Sequence, residues 1–279
     1  MLKRILSIVM VCILVVALAG CGGDKKSVLS TKVFRVGMEC AYAPYNWTQS
    51  DDSNGAVQIY NSSDYANGYD VMMAKKICEA NGWTLEVHKL DWGSIPVAVQ
   101  SGEIDAGICG QSITEKRAQT VDFTTPYYYA SIVTLVKADS KYADATGISG
   151  FEGATCTSQL NTVWYDVCLP QIKNANILPA QETAPAMLVA LESGKVDLVC
   201  TDYPTALAAV NAYPDLKLMD FTDTDDNYKV SEEEINIGIS CKKGNKELVE
   251  KINSVLSTMT SDDYDSIMKD AIAIQPLSE

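Results

Sequence analysis

The pattern of apolar and polar positions after residue 31 alternates between strand-like and helix-like segments. It predicts strands over residues 32–38 and 83–90, helices over residues 69–81 and 95–100, and a polar excursion or hairpin over residues 48–67. Gly82 stands where the first of these helices should end, since glycine is the usual residue just past a helix C-terminus. Because strands alternate with helices, we expect an α/β fold in which helices cover a largely parallel sheet.

An internal repeat indicates that the chain contains this unit twice. Residues 101–109 read SGEIDAGIC, and 92 positions later residues 193–200 read SGKVDLVC. In both copies an apolar helix ends at Ser-Gly, and an apolar strand then leads into polar residues. Open α/β sheets bind ligands beyond the carboxyl ends of their strands. The repeat therefore predicts two matched lobes that face a common site. Coincidence is the alternative, because helix–glycine–strand units recur in α/β proteins.

Composition and charge exclude several classes of function. The 279 residues are 47% hydrophobic and 21% charged, which suffices for one large domain or two smaller ones. Asp and Glu number 36 against 22 Lys and Arg, a formal net charge of -14 at pH 7. Because an acidic surface repels phosphate backbones and no basic tract interrupts it, we expect no nucleic-acid partner.

The amino terminus predicts export and a lipid anchor. Two basic residues precede an apolar stretch over residues 5–18, which is short for a membrane span but typical of a signal peptide. Leu-Ala-Gly-Cys then ends at Cys21, and this resembles the lipobox of bacterial lipoproteins. We therefore predict a signal peptide over residues 1–20, lipidation of Cys21, a tether over residues 21–31, and a protein that is anchored to the cell membrane and faces the outside. A simple secretory signal or a helical anchor is the alternative.

The cysteine count argues against a metal site. Of the nine cysteines, one lies in the predicted signal peptide and one is the predicted lipidation site, which leaves seven in the exported part. Seven is odd, so at least one stays unpaired within a single chain. No two of the seven form a CxxC pair and His88 is the only histidine, so we expect no metal and no cofactor.

Ordered motifs over most of the chain carry a family resemblance. They are GYDV at 68–71, LDW at 90–92, SITEKR at 112–117, VDFTTPYY at 121–128 and VDLVCTD at 196–202. In this order they resemble the polar-amino-acid solute-binding proteins of ABC importers, and the similarity covers residues 32–275.

The resemblance implies the type II periplasmic-binding-protein fold, in which two α/β lobes are joined by two hinge strands and hold a ligand between them. It places residues 32–130 and 235–279 in lobe 1 and residues 131–234 in lobe 2. The partners it implies are a free L-amino acid and the permease of an ABC transporter, and a monomer is expected. The lipid anchor fits this family, because such proteins are held by lipid where no outer membrane retains them.

A receptor for a free amino acid needs a cation for the carboxylate and an anion for the ammonium group. Arg117 matches the arginine of the family's TxxR motif, and its planar guanidinium can bind a carboxylate through two hydrogen bonds. Asp202 follows an apolar strand and matches the family's aspartate that pairs with the ammonium group. The resemblance adds Ser112 and the backbone of Gly110. The alternatives are a solvated Arg117 and an Asp202 that caps the next helix, although one carboxylate could serve both roles.

The turn at residues 160–162 departs from the family pattern. Many relatives have a Gly-Ser/Thr-Thr turn where this chain has Leu160, Asn161 and Thr162. Because the turn opens a helix, its free amides and the Thr162 hydroxyl can help to hold the ligand carboxylate. Asn161 and Thr162 are therefore candidates, whereas Leu160 puts backbone donation at its own position in doubt.

Three residues are expected to select the ligand side chain. Tyr42 and Trp92 match positions where relatives stack an aromatic or apolar side chain on the ligand, with ordinary core packing as the alternative. Glu39 matches an acidic position that contacts side-chain nitrogens. Since aromatic faces and a carboxylate both attract cations, we expect arginine, lysine or histidine, then glutamine. In the alternative, Glu39 faces solvent or is neutralised by Lys89, and the pocket is permissive.

Two rival functions follow from the same residues. A dehydratase or lyase on this fold could use Glu39 and Asp202, although His88 lies in a strand pattern away from every motif of the site. A receptor sensor domain would require a downstream membrane span or signalling domain, and the sequence ends at Glu279 without one. We expect a binding protein and not an enzyme.

Overall fold

The structure, a computed structural model, describes residues 27–276. The predicted signal peptide, Cys21 and the first part of the predicted tether lie outside these residues. The end of that tether, Val28–Thr31, forms a helical turn in which Val28 is buried and donates its N–H to Asp105 Oδ1 at 3.3 Å. This turn is therefore fixed on the folded domain. Within residues 27–276, every helix is too short or too polar to cross a bilayer.

Five strands form a first sheet, which together with its covering helices we call lobe 1. In spatial order they are Thr84–Lys89, Val33–Met38, Ala106–Gly107, Ser240–Lys242 and Val121–Phe123. Ser240–Lys242 runs antiparallel to both neighbours, and the other neighbours pair in parallel. The helices are Tyr69–Asn81, Ile95–Ser101, Glu115–Ala118, Lys246–Leu256 and Ser261–Ile274. The predicted strands and helices of this region are confirmed, including the left-handed Gly82 that ends the first long helix.

Five further strands form the second sheet, in what we call lobe 2. In spatial order they are Asn176–Ile177, Thr155–Thr157, Leu198–Asp202, Ile132–Lys137 and Leu216–Met219. The fourth of these strands runs antiparallel to both neighbours, as in the first sheet. The helices are Ala184–Glu192 and Tyr203–Ala212, with shorter turns at Ile148–Phe151, Trp164–Cys168 and Leu169–Gln171. The two repeated sequences hold the third strand of each sheet, so the repeat marks matched lobes.

The chain passes between the lobes twice. Tyr128–Tyr129 and Asn236–Ile237 pair antiparallel in a two-stranded ribbon, which we call the hinge ribbon. A helical turn at Glu232–Ile235 precedes its second strand. Beyond the ribbon, Ser240–Lys242 returns to the first sheet, so that lobe 1 is built from two separate parts of the chain. Two α/β lobes joined by two strands is the architecture that the family resemblance implied.

Residues 48–67 belong to a small antiparallel sheet on lobe 1. Its strands, in spatial order, are Ala41–Tyr42, Asn46–Gln49, Tyr65–Asn67 and Val57–Gln58, with a short turn at Ser53–Gly55. The predicted hairpin is therefore confirmed. Its edge strand carries Tyr42, whose hydroxyl reaches lobe 2.

All cysteines of residues 27–276 are buried and unpaired: Cys40, Cys78, Cys109, Cys156, Cys168, Cys200 and Cys241. Burial raises the pKa of the Cys40 and Cys78 thiols to about 12. At neutral pH these side chains are therefore protonated and pack as small apolar groups. In the same range, no group of three or more His, Cys, Asp or Glu side chains is placed to hold a metal ion.

Candidate ligand-binding site

A partly open cavity lies between the two lobes. Seven of the nine predicted binding residues line it together: Glu39, Tyr42, Trp92, Gly110, Ser112, Arg117 and Thr162. The other two lie beside it, because Asn161 lines two adjoining grooves and Asp202 touches Tyr42. Three further residues that were not predicted also line the cavity, namely Gln159, Val163 and Trp164.

Arg117 is held by backbone carbonyls of both lobes. It lies on the short helix Glu115–Ala118, and its Nη1 and Nη2 atoms donate to Ser112 O and Asn161 O, each at 2.9 Å. The guanidinium also lies over the Trp92 ring, 5.3 Å from its centre. Desolvation by burial lowers the pKa of Arg117, yet arginine stays charged in proteins. Among the described residues no carboxylate lies within 4 Å of it, so it is a desolvated cation that can accept an anionic ligand.

Asp202 ends its strand and caps the next helix. Its Oδ1 accepts from the Thr205 N–H and its Oδ2 from the Thr205 hydroxyl, each at 3.0 Å, at the start of Tyr203–Ala212. The Tyr42 hydroxyl donates to the same Oδ2 at 2.5 Å. The side chain is 2% exposed, and desolvation raises its pKa although these hydrogen bonds oppose the rise. Asp202 therefore does cap the helix, as the alternative interpretation expected. Its carboxylate contacts the Tyr42 hydroxyl and lies beside the cavity.

Glu39 is a buried carboxylate that faces an amide. It directly follows the strand Val33–Met38, is 6% exposed, and accepts from Gln159 Nε2 at 3.2 Å and 3.3 Å through its two oxygens. Desolvation raises the pKa of Glu39 to about 7, and the bond from Gln159 opposes the rise. The Lys89 ammonium group instead donates to Thr48 Oγ1, and no described base lies within 4 Å of Glu39. Glu39 therefore neither faces solvent nor pairs with Lys89.

Aromatic side chains form the walls of the cavity. The Tyr42 ring stacks on Tyr45 at 4.7 Å and contacts Trp164 at 5.9 Å between ring centres. The Trp92 ring lies against the Arg117 guanidinium. Tyr42 also covers Gly110, where an added Cβ would lie 2.5 Å from Tyr42 Cε1. Glycine is needed at this position for two reasons, since its φ of +64° is also unfavourable for other residues.

The loops that end the strands contribute backbone groups. The Gly110 N–H donates to the Tyr127 hydroxyl at 3.1 Å, so its carbonyl is the group left for a ligand. In lobe 2, Thr162 Oγ1 donates to Gln159 O at 2.7 Å. The same oxygen accepts the Tyr165 N–H at the start of the turn Trp164–Cys168, so residues 160–162 open a helical turn as predicted. The Leu160 N–H donates to Gln181 O, so it is not directed at a ligand.

Gln159 was missed although a signal for it exists. It follows the buried strand Thr155–Thr157, at the same edge of the sheet as Asp202. Polar residues at strand carboxyl ends face the ligand in open α/β sheets. Its side chain spans the cleft, because it bonds Glu39 in lobe 1 and the Glu182 carbonyl in lobe 2.

His88 lies away from this cavity. Its Nε2 is 2.8 Å from Glu86 Oε1, and its ring stacks on Tyr60 with ring centres 4.6 Å apart. The only histidine is therefore engaged on the outer strand of the first sheet, and it cannot assist a nucleophile between the lobes.

Comparisons with known proteins identify the family. The chain matches bacterial extracellular solute-binding proteins, family 3, over residues 34–272. A "Probable histidine-binding protein" of Neisseria gonorrhoeae is 27% identical over 267 residues, which cover 90% of this chain and 89% of the relative. The ABC transporter glutamine-binding protein GlnH of Bacillus subtilis is 29% identical, over 77% of this chain and 76% of the relative.

Among solved structures, an ancestral arginine-binding protein bound to arginine is 30% identical. The superposition has a TM-score of 0.67 and covers 85% of this chain and 97% of that one. The predicted type II periplasmic-binding-protein fold is thereby confirmed. Because the matched family consists of binding proteins, the dehydratase alternative is set aside. The family match includes both sheets and the hinge ribbon, and this chain belongs to the bacterial extracellular solute-binding proteins of family 3.

Proposed function

We propose that this protein is the extracytoplasmic substrate-binding component of an ABC importer and that it binds a free basic L-amino acid between its lobes. Its relatives are named for binding histidine, glutamine or arginine. The observation that carries the proposal is that a cation without a carboxylate partner, Arg117, and a buried carboxylate, Glu39, line one cavity between the lobes. The two charges suit the two ends of a basic amino acid.

The backbone end of the ligand is assigned to Arg117 and Asp202. Arg117 binds the α-carboxylate, assisted by Ser112, Thr162 and the Asn161 loop, because a planar guanidinium meets a carboxylate through two parallel bonds. Asp202 binds the α-ammonium group, with the Gly110 carbonyl as a second acceptor. Tyr42 contacts both acceptors, because its hydroxyl donates to Asp202 and its ring covers Gly110.

The side-chain end is assigned to Glu39, Gln159 and the aromatic walls. Carboxylates also dominate the adjoining groove, where Asp91 and Glu182 accompany Glu39 against a single Lys89. A negative mouth attracts cationic solutes and repels acidic ones. We therefore favour arginine, lysine or histidine, with glutamine next because Glu39 can accept from an amide N–H. Glutamate and aspartate would meet Glu39 as like charges and are rejected.

Thermal melting of protein freed of carried-over ligand tests this assignment. A ligand at one hundred times its Kd adds ~2.7 kcal/mol to stability, which for a protein of this size raises Tm by about 5–11 °C. L-Arginine, L-lysine or L-histidine should give the largest shift, L-glutamine a smaller one and L-glutamate none. A largest shift with glutamate would refute the specificity, and no shift with any amino acid would refute the binding function.

Anchoring and the transporter partner complete the proposal. Cys21 is lipidated, which holds the protein on the outer face of the cell membrane as a monomer that delivers ligand to the permease. Cys21→Ser should abolish acylation and release the protein, as measured by labelling with a fatty-acid analogue and by fractionation. Cys12→Ser is the matched control and should leave both unchanged. Acylation that survives Cys21→Ser would overturn the anchor.

A further inference from the structure

Asp70 is a fully buried carboxylate that the proposed binding contacts do not use. It lies in the first turn of the helix Tyr69–Asn81 and is 0% exposed. It accepts from the Tyr127 hydroxyl at 2.6 Å and from Asn46 Nδ2 at 2.7 Å. No basic side chain among the described residues lies within 4 Å of it. A buried charge without a cation is costly, and the groups that oppose this cost are Tyr127, Asn46 and the Gly110 N–H, each of which lowers the pKa of Asp70.

Each hydrogen bond continues to a loop that lines the cavity. The Tyr127 hydroxyl oxygen accepts the Gly110 N–H at 3.1 Å. Asn46 Oδ1 accepts the Cys40 N–H at 2.7 Å. Gly110 lines the cavity, and Cys40 directly follows Glu39. Both loop residues have positive φ, +64° and +53°. The Cys40 conformation is unfavourable for a residue with a side chain and persists only where neighbours enforce it.

In its ionised form the Asp70 carboxylate can only accept, and this fixes the direction of both chains of hydrogen bonds. Tyr127 must donate to Asp70, so its oxygen is left to accept from Gly110. Asn46 must turn its NH₂ group toward Asp70, so its Oδ1 faces Cys40. Tyr127 also donates its backbone N–H to Ile237 O in the hinge ribbon at 2.8 Å.

We propose that Asp70 is a positioning residue for ligand binding: it orients Asn46 and Tyr127, which in turn hold the Glu39 and Gly110 loops in binding geometry. The inference rests on the proposed function, because it takes these two loops to be the ones that contact the ligand. Asp70 itself touches neither the cavity nor the ligand.

Exchanging an acid and an amide tests the directional argument. Asp70→Asn places one acceptor and one donor where two acceptors are needed. If the new oxygen stays on Tyr127, the new NH₂ group forces Asn46 to turn, and the Cys40 N–H loses its acceptor. Asn46→Asp added to Asp70→Asn restores an acceptor for both the new NH₂ group and Cys40, with the number of buried carboxylates unchanged. A residue that only fills space would not be rescued in this way.

Two readouts are needed, one with ligand and one without. For Asp70→Asn we expect affinity for L-arginine to fall about ten- to a hundredfold, since a buried donor is left unpaired. In the ligand-free protein, amide exchange at Cys40 or Gly110 should become faster. The double variant should recover most of both. Near-normal affinity and exchange in Asp70→Asn would overturn the proposal, as would a folded double variant no better than Asp70→Asn.

Tyr127→Phe covers the case in which Asp70→Asn does not fold. It removes one hydroxyl and should speed exchange at Gly110 while leaving Cys40 unchanged, and equal exchange at Gly110 would also overturn the proposal. If the wild-type protein does not bind L-arginine, the proposed ligand class fails. The amide-exchange measurements on ligand-free protein still decide the role of Asp70.

Discussion

The Tyr42 hydroxyl donates a 2.5 Å hydrogen bond to Asp202 Oδ2, and this bond joins lobe 1 to lobe 2. Two more contacts cross the cleft beside it, from Arg117 to Asn161 O and from Gln159 to Glu39. All three involve predicted binding residues. The groups that we assign to the ligand therefore also hold the lobes together, and the proposed assignment couples ligand binding to lobe closure.

The Tyr42 hydroxyl should slow ligand release. Tyr42→Phe removes a hydrogen bond to a buried carboxylate, which is worth about 1–2 kcal/mol, so affinity should fall roughly five- to thirtyfold. Stopped-flow fluorescence should place most of the loss in the dissociation rate, because the closed form is the one weakened. Tyr45→Phe is a matched control, since the Tyr45 hydroxyl is buried in the same stack and has no hydrogen-bond partner among the described residues. An equal loss in both variants would contradict the cross-lobe role.

The variant Asp202→Asn separates the proposed binding of the ligand ammonium group from the capping of the helix. Asp202→Asn keeps an oxygen for the Thr205 N–H, and asparagine caps helices as well as aspartate does. Affinity should nevertheless fall at least ~30-fold, because the negative charge for the ligand ammonium group is lost. Asp202→Ala should lose the cap as well, at a cost of about 1–2 kcal/mol in unfolding free energy.

The control for that experiment is the distant cap at Asn245, which accepts from Leu248 N in lobe 1. Asn245→Ala should lower Tm without changing affinity for L-arginine. If Asp202→Asn binds like the wild-type protein in calorimetry, Asp202 is a cap and nothing more.

Shape as well as charge should matter at Arg117. Arg117→Ala leaves the ligand α-carboxylate buried without its cation. It should cost ~2–5 kcal/mol of binding free energy, or roughly 30- to several-thousand-fold in Kd. Arg117→Lys keeps the charge but cannot span two carbonyls and a ligand carboxylate at once, so it should recover only part of the loss. Lys116→Ala, on the exposed side of the same short helix, serves as the control and should bind normally. A fully active Arg117→Lys would show that only charge is required.

The fold could be predicted to the extent that local pattern decides it. The repeat is an example. The Asp105 N–H donates to Arg35 O, and the Asp105 carboxylate accepts the Arg35 N–H. Asp197 makes the same two hydrogen bonds with the backbone of Thr155. In both sheets the repeated aspartate thus fastens the start of the third strand to the second strand, which gives the motif a structural reason. Periodicity could not reveal that Val28–Thr31 packs on lobe 1, because a single buried valine leaves no pattern.

The sequence predicts most of the residues that line the site, but it does not predict the hydrogen-bond partners of those residues. Arg117 and Asp202 were found through motifs, yet the bond from Tyr42 to Asp202 joins residues 160 positions apart. Glu39 accepts a hydrogen bond from Gln159, which lies 120 positions away in the other lobe. Contacts of this kind form only when the lobes meet, so no local feature of the sequence encodes them.

Affinity for a cationic ligand should depend on pH through Glu39. Burial raises the pKa of this carboxyl to about 7 in the free protein, and the ligand requires its ionised form. Kd for L-arginine should therefore be about tenfold higher at pH 6 than at pH 8, since a group with this pKa is mostly protonated at the lower pH. Calorimetry in buffers of different ionisation enthalpy should detect nearly one proton released on binding at pH 6.

Glu39→Gln is the control for that pH dependence. It should weaken L-arginine binding at pH 8 and flatten the profile, apart from a remainder due to Asp70, whose pKa burial also raises to about 7. Arginine is the suitable probe because its side chain does not titrate in this range. An unchanged slope in Glu39→Gln would assign the titration to Asp70 or Asp202 and contradict the role of Glu39.

The same substitution should stabilise the protein when no ligand is present. The folded-state pKa of Glu39 lies above its ordinary value of 4.5, so the folded protein holds a proton that the unfolded chain releases between about pH 4.5 and 7. The unfolding free energy therefore falls as pH rises through that window, and the full penalty is present above pH 7. At pH 8, Glu39→Gln should remove roughly 1–3 kcal/mol of this penalty, which raises Tm by several degrees. Toward pH 5 the advantage should vanish. A ligand-free Glu39→Gln protein that melts at or below the wild-type temperature at pH 8 would contradict a costly buried charge at Glu39, and with it the reason for which the site should favour a basic ligand.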